Sequence, residues 1–113
     1  MSAEFVFKSQ SRVDMKDSSK AQFRRLTVCF NGRVQGVGFR FTTVDVASRH
    51  AVTGFVQNEW DGTVRVVSEG RESDLDAFVA DIYRSPLGRH IRGEQRDWTD
   101  AQGGFTRFGI RYC

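Results

Sequence analysis

Two cysteines, one proline and two histidines are all that this 113-residue chain has of those types. Each scarcity closes off a class of protein. Cys29 and Cys113 cannot build the several bridges of a small secreted scaffold, and without an apolar leader they fit a reducing, cytoplasmic setting. Cys113, the last residue, reads as an exposed, ordinary thiol. His50 and His90 stand apart, without the spacing to Cys or carboxylate partners that a metal site shows. No stretch approaches the roughly eighteen apolar residues of a membrane span. Phe5-Val6-Phe7 is too short for a secretory leader and is flanked by Glu4 and Lys8. No Gly-Lys-Ser/Thr triplet closes a glycine-rich turn, which excludes a nucleotide P-loop. There are no internal repeats.

What the chain does have begins after a polar stretch. Residues 1–22 alternate charge and small polar groups, among them Lys8, Arg12, Asp14, Lys16, Asp17 and Lys20, with no sustained periodicity. They read as a disordered tail, and Met15 offers an alternative start. Residues 23–113 then form one domain, long enough for one core and too short for two. The net charge of +3 suits an anionic partner without being a nucleic-acid signature by itself.

From Arg24 to Asn31 the period is two, with Leu26, Val28 and Phe30 on one face and Thr27 and Cys29 on the other. Residues 40–51 read as a helix, with Val44, Ala47 and Ala51 on one face. Gly54 to Trp60 is a second strand, Asp61-Gly62 a hairpin turn, and Thr63 to Ser68 a third strand. Leu75, Phe78, Val79, Ile82 and Tyr83 mark the clearest helix, with Ser73 as its expected cap and Asp76 completing an approximate capping box. Ser85-Pro86-Leu87-Gly88 ends it. Ile91 to Trp98 is polar enough for an edge strand. After Gly103-Gly104, Phe105 to Tyr112 alternates again, with Phe108, Ile110 and Tyr112 on one side. The order predicts an α+β fold, a ferredoxin-like βαββαβ sandwich with an antiparallel sheet and two helices on one face.

The chemistry is concentrated in Gly32-Arg33-Val34-Gln35-Gly36-Val37-Gly38-Phe39-Arg40, which lies between the first strand and the first helix. Its glycines permit a tight turn. The free N–H groups of such a loop, backed by a helix N-terminus, suit a phosphate-sized anion. Arg40 adds a cationic fork. Asn58, at the end of the second strand, adds a neutral donor and acceptor. One connecting helix lets the two converge. Taken alone, Arg40 is an ordinary surface arginine and Asn58 a strand-end hydrogen bonder; their linked placement points to chemistry on a small phosphate ester or anhydride, without a metal. His50 and His90 read as structural or exposed, and Asp74, Asp76 and Asp81 as cap and surface charges. The basic group Arg84, Arg89, His90, Arg92 and Arg96 reads as a solvated surface.

These residues resemble the acylphosphatase family. The run from Gly32 to Arg40 is similar to that family's signature, as is Gly54-x-Val56-x-Asn58-x-x-Asp61-Gly62-x-Val64 at the same spacing behind it. The closing Phe105-x-x-Phe108-x-Ile110-Arg111-Tyr112 resembles the family's last strand. The resemblance implies hydrolysis of acyl phosphates to a carboxylate and inorganic phosphate, with no cofactor and no covalent phosphoenzyme. It implies that Arg40 and the backbone amides of Gln35, Gly36, Val37, Gly38 and Phe39 hold the phosphoryl group. Asn58 would orient the attacking water. Inorganic phosphate or sulfate is the anion expected in the loop, and a monomer is expected. One departure stands out: His50-Ala51-Val52-Thr53-Gly54 replaces the family's usual Leu-Gly-Leu-x-Gly. Ala51 is expected to change how the first helix ends, at a cost of up to about 1 kcal/mol.

Two other readings compete. RNA-recognition domains share the ferredoxin-like layout, but their third strand carries aromatics and Thr63 to Ser68 has none. Acylphosphatase-like domains also open larger proteins that handle carbamoyl phosphate, so a binding module without turnover is an alternative. The end of the chain at Cys113 favours a free-standing enzyme.

Overall fold

The computed structural model describes residues 23–112; the tail at 1–22 and Cys113 lie outside the described residues. Five strands form one sheet in the order β4-β1-β3-β2-β5. They are β1 (Phe23–Gly32), β2 (Thr53–Asn58), β3 (Val64–Arg71), β4 (Ile91–Asp100) and β5 (Phe108–Ile110). Helix α1 (Phe39–Ala47) links β1 to β2, and helix α2 (Glu72–Arg84) follows β3. No helix among the described residues is long and apolar enough to cross a membrane.

The alternation in β1 sorts the two faces as expected. Leu26, Val28 and Phe30 are fully buried, together with Val56 on β2 and Val64 and Val66 on β3. Leu75, Phe78, Val79 and Ile82 of α2 and Phe39, Val46 and Ala47 of α1 join them in a single core. Both helices therefore cover the same face of the sheet. The burial of about a dozen large apolar side chains, at roughly 1.5–3 kcal/mol each, is the main term holding the layers together. Gly54 fixes the start of β2 against β3. At φ 141° it places its α-carbon so close to the neighbouring strand that a Cβ would lie 1.9 Å from Val67 O.

Four local readings need correction. Helix α2 is capped by Arg71, which makes no side-chain cap bond, so Ser73 is a helical residue and not the cap. Glu72 and Asp74 in the first turn supply the negative charge that a helix N-terminus favours. Helix α1 starts one residue earlier and ends at Ala47, and its buried face is Phe39, Thr43, Val46 and Ala47. Ala51 is exposed and lies beyond the helix. Thr43 is buried because its hydroxyl donates to Phe39 O at 2.8 Å, leaving no polar group unpaired. The α1 exit is tightened by Arg49 N to Val46 O and His50 N to Ala47 O, both 3.0 Å. Finally, β5 is three residues long and runs parallel to β2, pairing Gly54 with Phe108 and Val56 with Ile110. The sheet is therefore mixed. Alternation fixes which face a residue takes and says nothing about strand direction.

The connections carry their own ties. Pro86–His90 forms a 3-10 turn, with the Ser85 hydroxyl accepting from Leu87 N. His50 Nε2 lies 2.7 Å from Asp81 Oδ2, which joins the exit of α1 to α2. Tyr83 donates its hydroxyl to Glu94 Oε1 at 2.6 Å, which joins α2 to β4. Burial and that carboxylate push the Tyr83 phenol up to about 12.

Candidate active site

The loop at residues 33–38 leaves β1 anchored at both sides. Arg33 N donates to His90 O at 2.9 Å, and Val34 is fully buried in the core. Beyond Val34 the chain turns outward, so Gln35, Gly36, Val37 and Gly38 are exposed. Gly36 and Gly38 have φ of 81° and 76°. Left-handed backbone at alternate positions is what lets successive N–H groups converge on one point. Gly38 also stands at the N-cap of α1, where it offers no side chain to the first helical N–H groups. Those donors have no intrahelical partner. The N–H groups from Gln35 to Phe39 make no hydrogen bond to another described residue. A row of such donors at the positive end of a helix suits an anion.

Phe39 secures the start of α1 by burying its ring 5.4 Å from that of Phe30. Arg40 follows, half-buried, with its guanidinium carbon 5.2 Å from the ring centroid of Tyr112. Tyr112 comes two residues after the end of β5, and Arg111 N still donates to Val56 O at 3.0 Å. Extending the parallel register from Val56 and Ile110 sets Tyr112 level with Asn58. Arg40 and Asn58 thus come to the same end of the sheet, through Tyr112.

Asn58 is the last residue of β2 and pairs with Val64. Its Oδ1 is buried and accepts no hydrogen bond. The hairpin beyond it is tightly closed. Glu59 N donates to Thr63 O at 2.9 Å, and Asp61 Oδ1 accepts from Thr63 N at 3.0 Å and Thr63 Oγ1 at 2.7 Å. The Thr63 hydroxyl and N–H hold the Asp61 carboxyl below its ordinary value. Glu59 Oε2 accepts from Gln57 Nε2 at 3.1 Å and Arg65 Nε at 3.2 Å. Gln35 reaches this hairpin: its amide donates to Glu59 O at 2.8 Å and Thr63 O at 2.9 Å.

The residues picked out by sequence therefore divide. The N–H groups of Gly36, Val37, Gly38 and Phe39 lie along the exposed loop and the start of α1. Gln35 offers the loop only its backbone, since its side chain is committed to the hairpin. The alternation of the last strand gives Tyr112 no role in the site, yet it is 70% exposed and lies against Arg40. The motif ending in Arg111-Tyr112 was the signal that could have placed it. His50 is bound to Asp81 and lies outside this constellation. Among the described residues, no three His, Cys, Asp or Glu side chains gather as metal ligands do. The donors at the loop are amides and a guanidinium, which suit an anion. A hollow of about 290 Å³ is bounded by Phe55, Phe105, Arg107 and Arg111. A phosphate gripped by backbone amides does not need such a cavity.

Comparison with known proteins follows the same lines. The family model described as Acylphosphatase matches residues 26–110. An acylphosphatase of Salinibacter ruber is 39% identical over 88 residues, which is 78% of this chain and 93% of that one. The crystal structure of acylphosphatase from Bacillus subtilis superposes with a TM-score of 0.72 at 32% identity, covering 79% of this chain and 99% of the other. Full-length HypF, in its phosphate- and nucleotide-bound form, matches with a TM-score of 0.71 at 28% identity over 80% of this chain but 12% of its own.

Proposed function

The chain belongs to the acylphosphatase family, and from that premise we propose how it works as a hydrolase of acyl phosphates. Water attacks phosphorus in line. The bond from water oxygen to phosphorus forms as the bond from phosphorus to the acyl oxygen breaks. The carboxylate leaves with the electron pair, and the water proton passes to a phosphate oxygen. A carboxylate leaves readily, so little acid catalysis is needed. Most of the work is positioning and stabilising charge on the equatorial oxygens. The N–H groups of Gln35, Gly36, Val37, Gly38 and Phe39 and the fork of Arg40 meet those oxygens. Asn58 holds the water.

One observation carries this reading: the buried Asn58 Oδ1 without a protein partner. Leaving a buried acceptor unpaired costs about 1–3 kcal/mol. Such groups persist where a bound water or a catalytic role accounts for them. An oxygen that accepts from a water on the phosphate side is such a role. Inorganic phosphate or sulfate is the simplest anion for the loop, and the single domain should work as a monomer. The few cysteines support a cytoplasmic, reducing location.

The test is phosphate release from benzoyl phosphate in the presence of EDTA. Wild-type protein should release phosphate. Asn58→Ala should lose about 10²-fold or more in kcat with KM little changed, and Arg40→Ala should raise KM and the inhibition constant of inorganic phosphate. Normal turnover in Asn58→Ala would sink the assignment. The likeness to part of HypF favours one alternative, a module that binds an acyl or carbamoyl phosphate without turning it over. Binding of carbamoyl phosphate with no phosphate release would select it.

A further inference from the structure

The Gln35 side chain forms the one direct side-chain tie described between the anion loop and the hairpin that follows Asn58. Its amide nitrogen lies 2.8 Å from Glu59 O and 2.9 Å from Thr63 O, so each of its two hydrogens has its own acceptor. The flipped amide would set its oxygen against two carbonyl oxygens, which fixes the orientation. Both carbonyls belong to a rigid frame, closed by Glu59 N to Thr63 O, by Gly62 N to Glu59 O at 3.2 Å and by the Asp61–Thr63 bonds. Glu59 is the residue next to Asn58, and its carboxylate is held in turn by Gln57 and Arg65. Gln35 is itself the first residue of the donor row, beside Gly36. The bridge thus runs from the first amide of the cradle to within one residue of Asn58.

We infer that Gln35 is a positioning residue: its amide sets the distance between the loop that holds the phosphoryl group and the asparagine that holds the water. The inference rests on the roles proposed above for the loop and Asn58. In-line attack needs the phosphorus and the water oxygen in register, and a misplacement of about 1 Å costs on the order of 10²-fold in rate. The loop carries one partner of the reaction and the hairpin the other. Val34 and Phe39 anchor the loop ends in the core whether or not Gln35 is present. The loop alone can therefore keep its grip on phosphate when the bridge is cut, while the water drifts out of line.

The experiment uses the full chain with Gln35→Met, which keeps length and removes both donors. Gln35→Asn, which keeps the amide but is too short to span both carbonyls, is the second variant. Three quantities are read well below the melting transition: kcat with benzoyl phosphate, the competitive inhibition constant of inorganic phosphate, and the melting temperature. The expected result is a fall in kcat of about tenfold or more with the phosphate constant within about twofold of wild type. A kcat within about twofold of wild type in a folded variant overturns the inference. So does a parallel worsening of kcat and phosphate affinity, which would make Gln35 a support for the loop's shape alone. If Gln35→Met fails to fold, Gln35→Asn decides on the same criteria. Arg40→Ala, run alongside, separates this inference from its premise. Phosphate affinity unchanged by Arg40→Ala would remove the loop-and-arginine site itself, whereas a loss there with no kcat effect at Gln35 would remove only the positioning role.

Discussion

At Gly36 and Gly38 a methyl group would find space but not a conformation. No heavy atom lies within 4 Å of where a Cβ would stand at either residue. The cost of alanine there is backbone strain alone, about 1–2 kcal/mol for a left-handed residue. Gly36→Ala and Gly38→Ala should each fold, with a urea midpoint lowered in proportion and with phosphate affinity reduced as the N–H row loses its convergence. An unchanged midpoint with unchanged affinity would show that the loop does not depend on its left-handed turns. Gly54→Ala should be far more damaging, because there the obstacle is Val67 O itself. The histidines test the proton route. His50 is bound to Asp81, and His90 meets the loop only by its backbone carbonyl, at Arg33 N. Among the described residues, neither imidazole hydrogen-bonds to Asn58 or to the loop. The pH–rate profile should therefore lack an enzyme inflection near about 6.5, the ordinary histidine value. An inflection there that disappears in His50→Ala or His90→Ala would put a general base back into the mechanism.

Between elements, the tie most open to measurement is Glu69. It lies on β3, 6% exposed, with its carboxylate accepting from Arg25 Nε at 2.8 Å, Gln102 N at 2.8 Å and Gly103 N at 3.0 Å. One side chain thus joins β1, β3 and the segment leading to β5. Burial alone would raise its pKa; the two N–H groups and the guanidinium outweigh burial and hold it below the ordinary 4.5. A carboxylate with a depressed folded pKa contributes stability that is fully present above the unfolded value and lost as pH falls through the folded one. Glu69→Gln should lower the melting temperature at neutral pH and flatten its decline below about pH 4.5. An identical acid limb in both proteins would count against it.

The same elements show what a sequence makes legible. Burial on alternate residues of β1 and the Leu75–Ile82 stripe of α2 are local patterns, so they could be read directly. The Asp61-Gly62 turn and the polar edge β4 were legible for the same reason. The buried face of α1 was not, since Thr43 reads as polar until its bond to Phe39 O is seen. The direction of β5 depends on what lies beside it, 54 residues away at Gly54 and Phe108. The loop and Asn58 were visible as linked motifs. The bridges from Gln35 to Thr63 and from Arg40 to Tyr112 join distant residues and leave no periodic trace.

For the whole molecule, the boundary between residues 1–22 and the rest of the chain can be tested by truncation. Among the described residues, the core begins at Leu26. Removing residues 1–22 should leave the melting temperature and kcat/KM within about twofold or a few degrees of the full chain. A large loss in either would give the tail a part in the domain.

The strand order has a consequence in time. β1 is the first strand of the domain to be translated, yet it sits inside the sheet between β3 and β4. Its partners run as far as Arg71 on one side and Asp100 on the other. At roughly 5–20 residues per second, a ribosome takes several seconds to supply them. Through that interval Leu26, Val28 and Phe30 have no sheet to join, and the nascent chain is exposed to capture by chaperones or by its neighbours. Arg40 is made early and gains its neighbour Tyr112 only after the last strand of the sheet has been supplied.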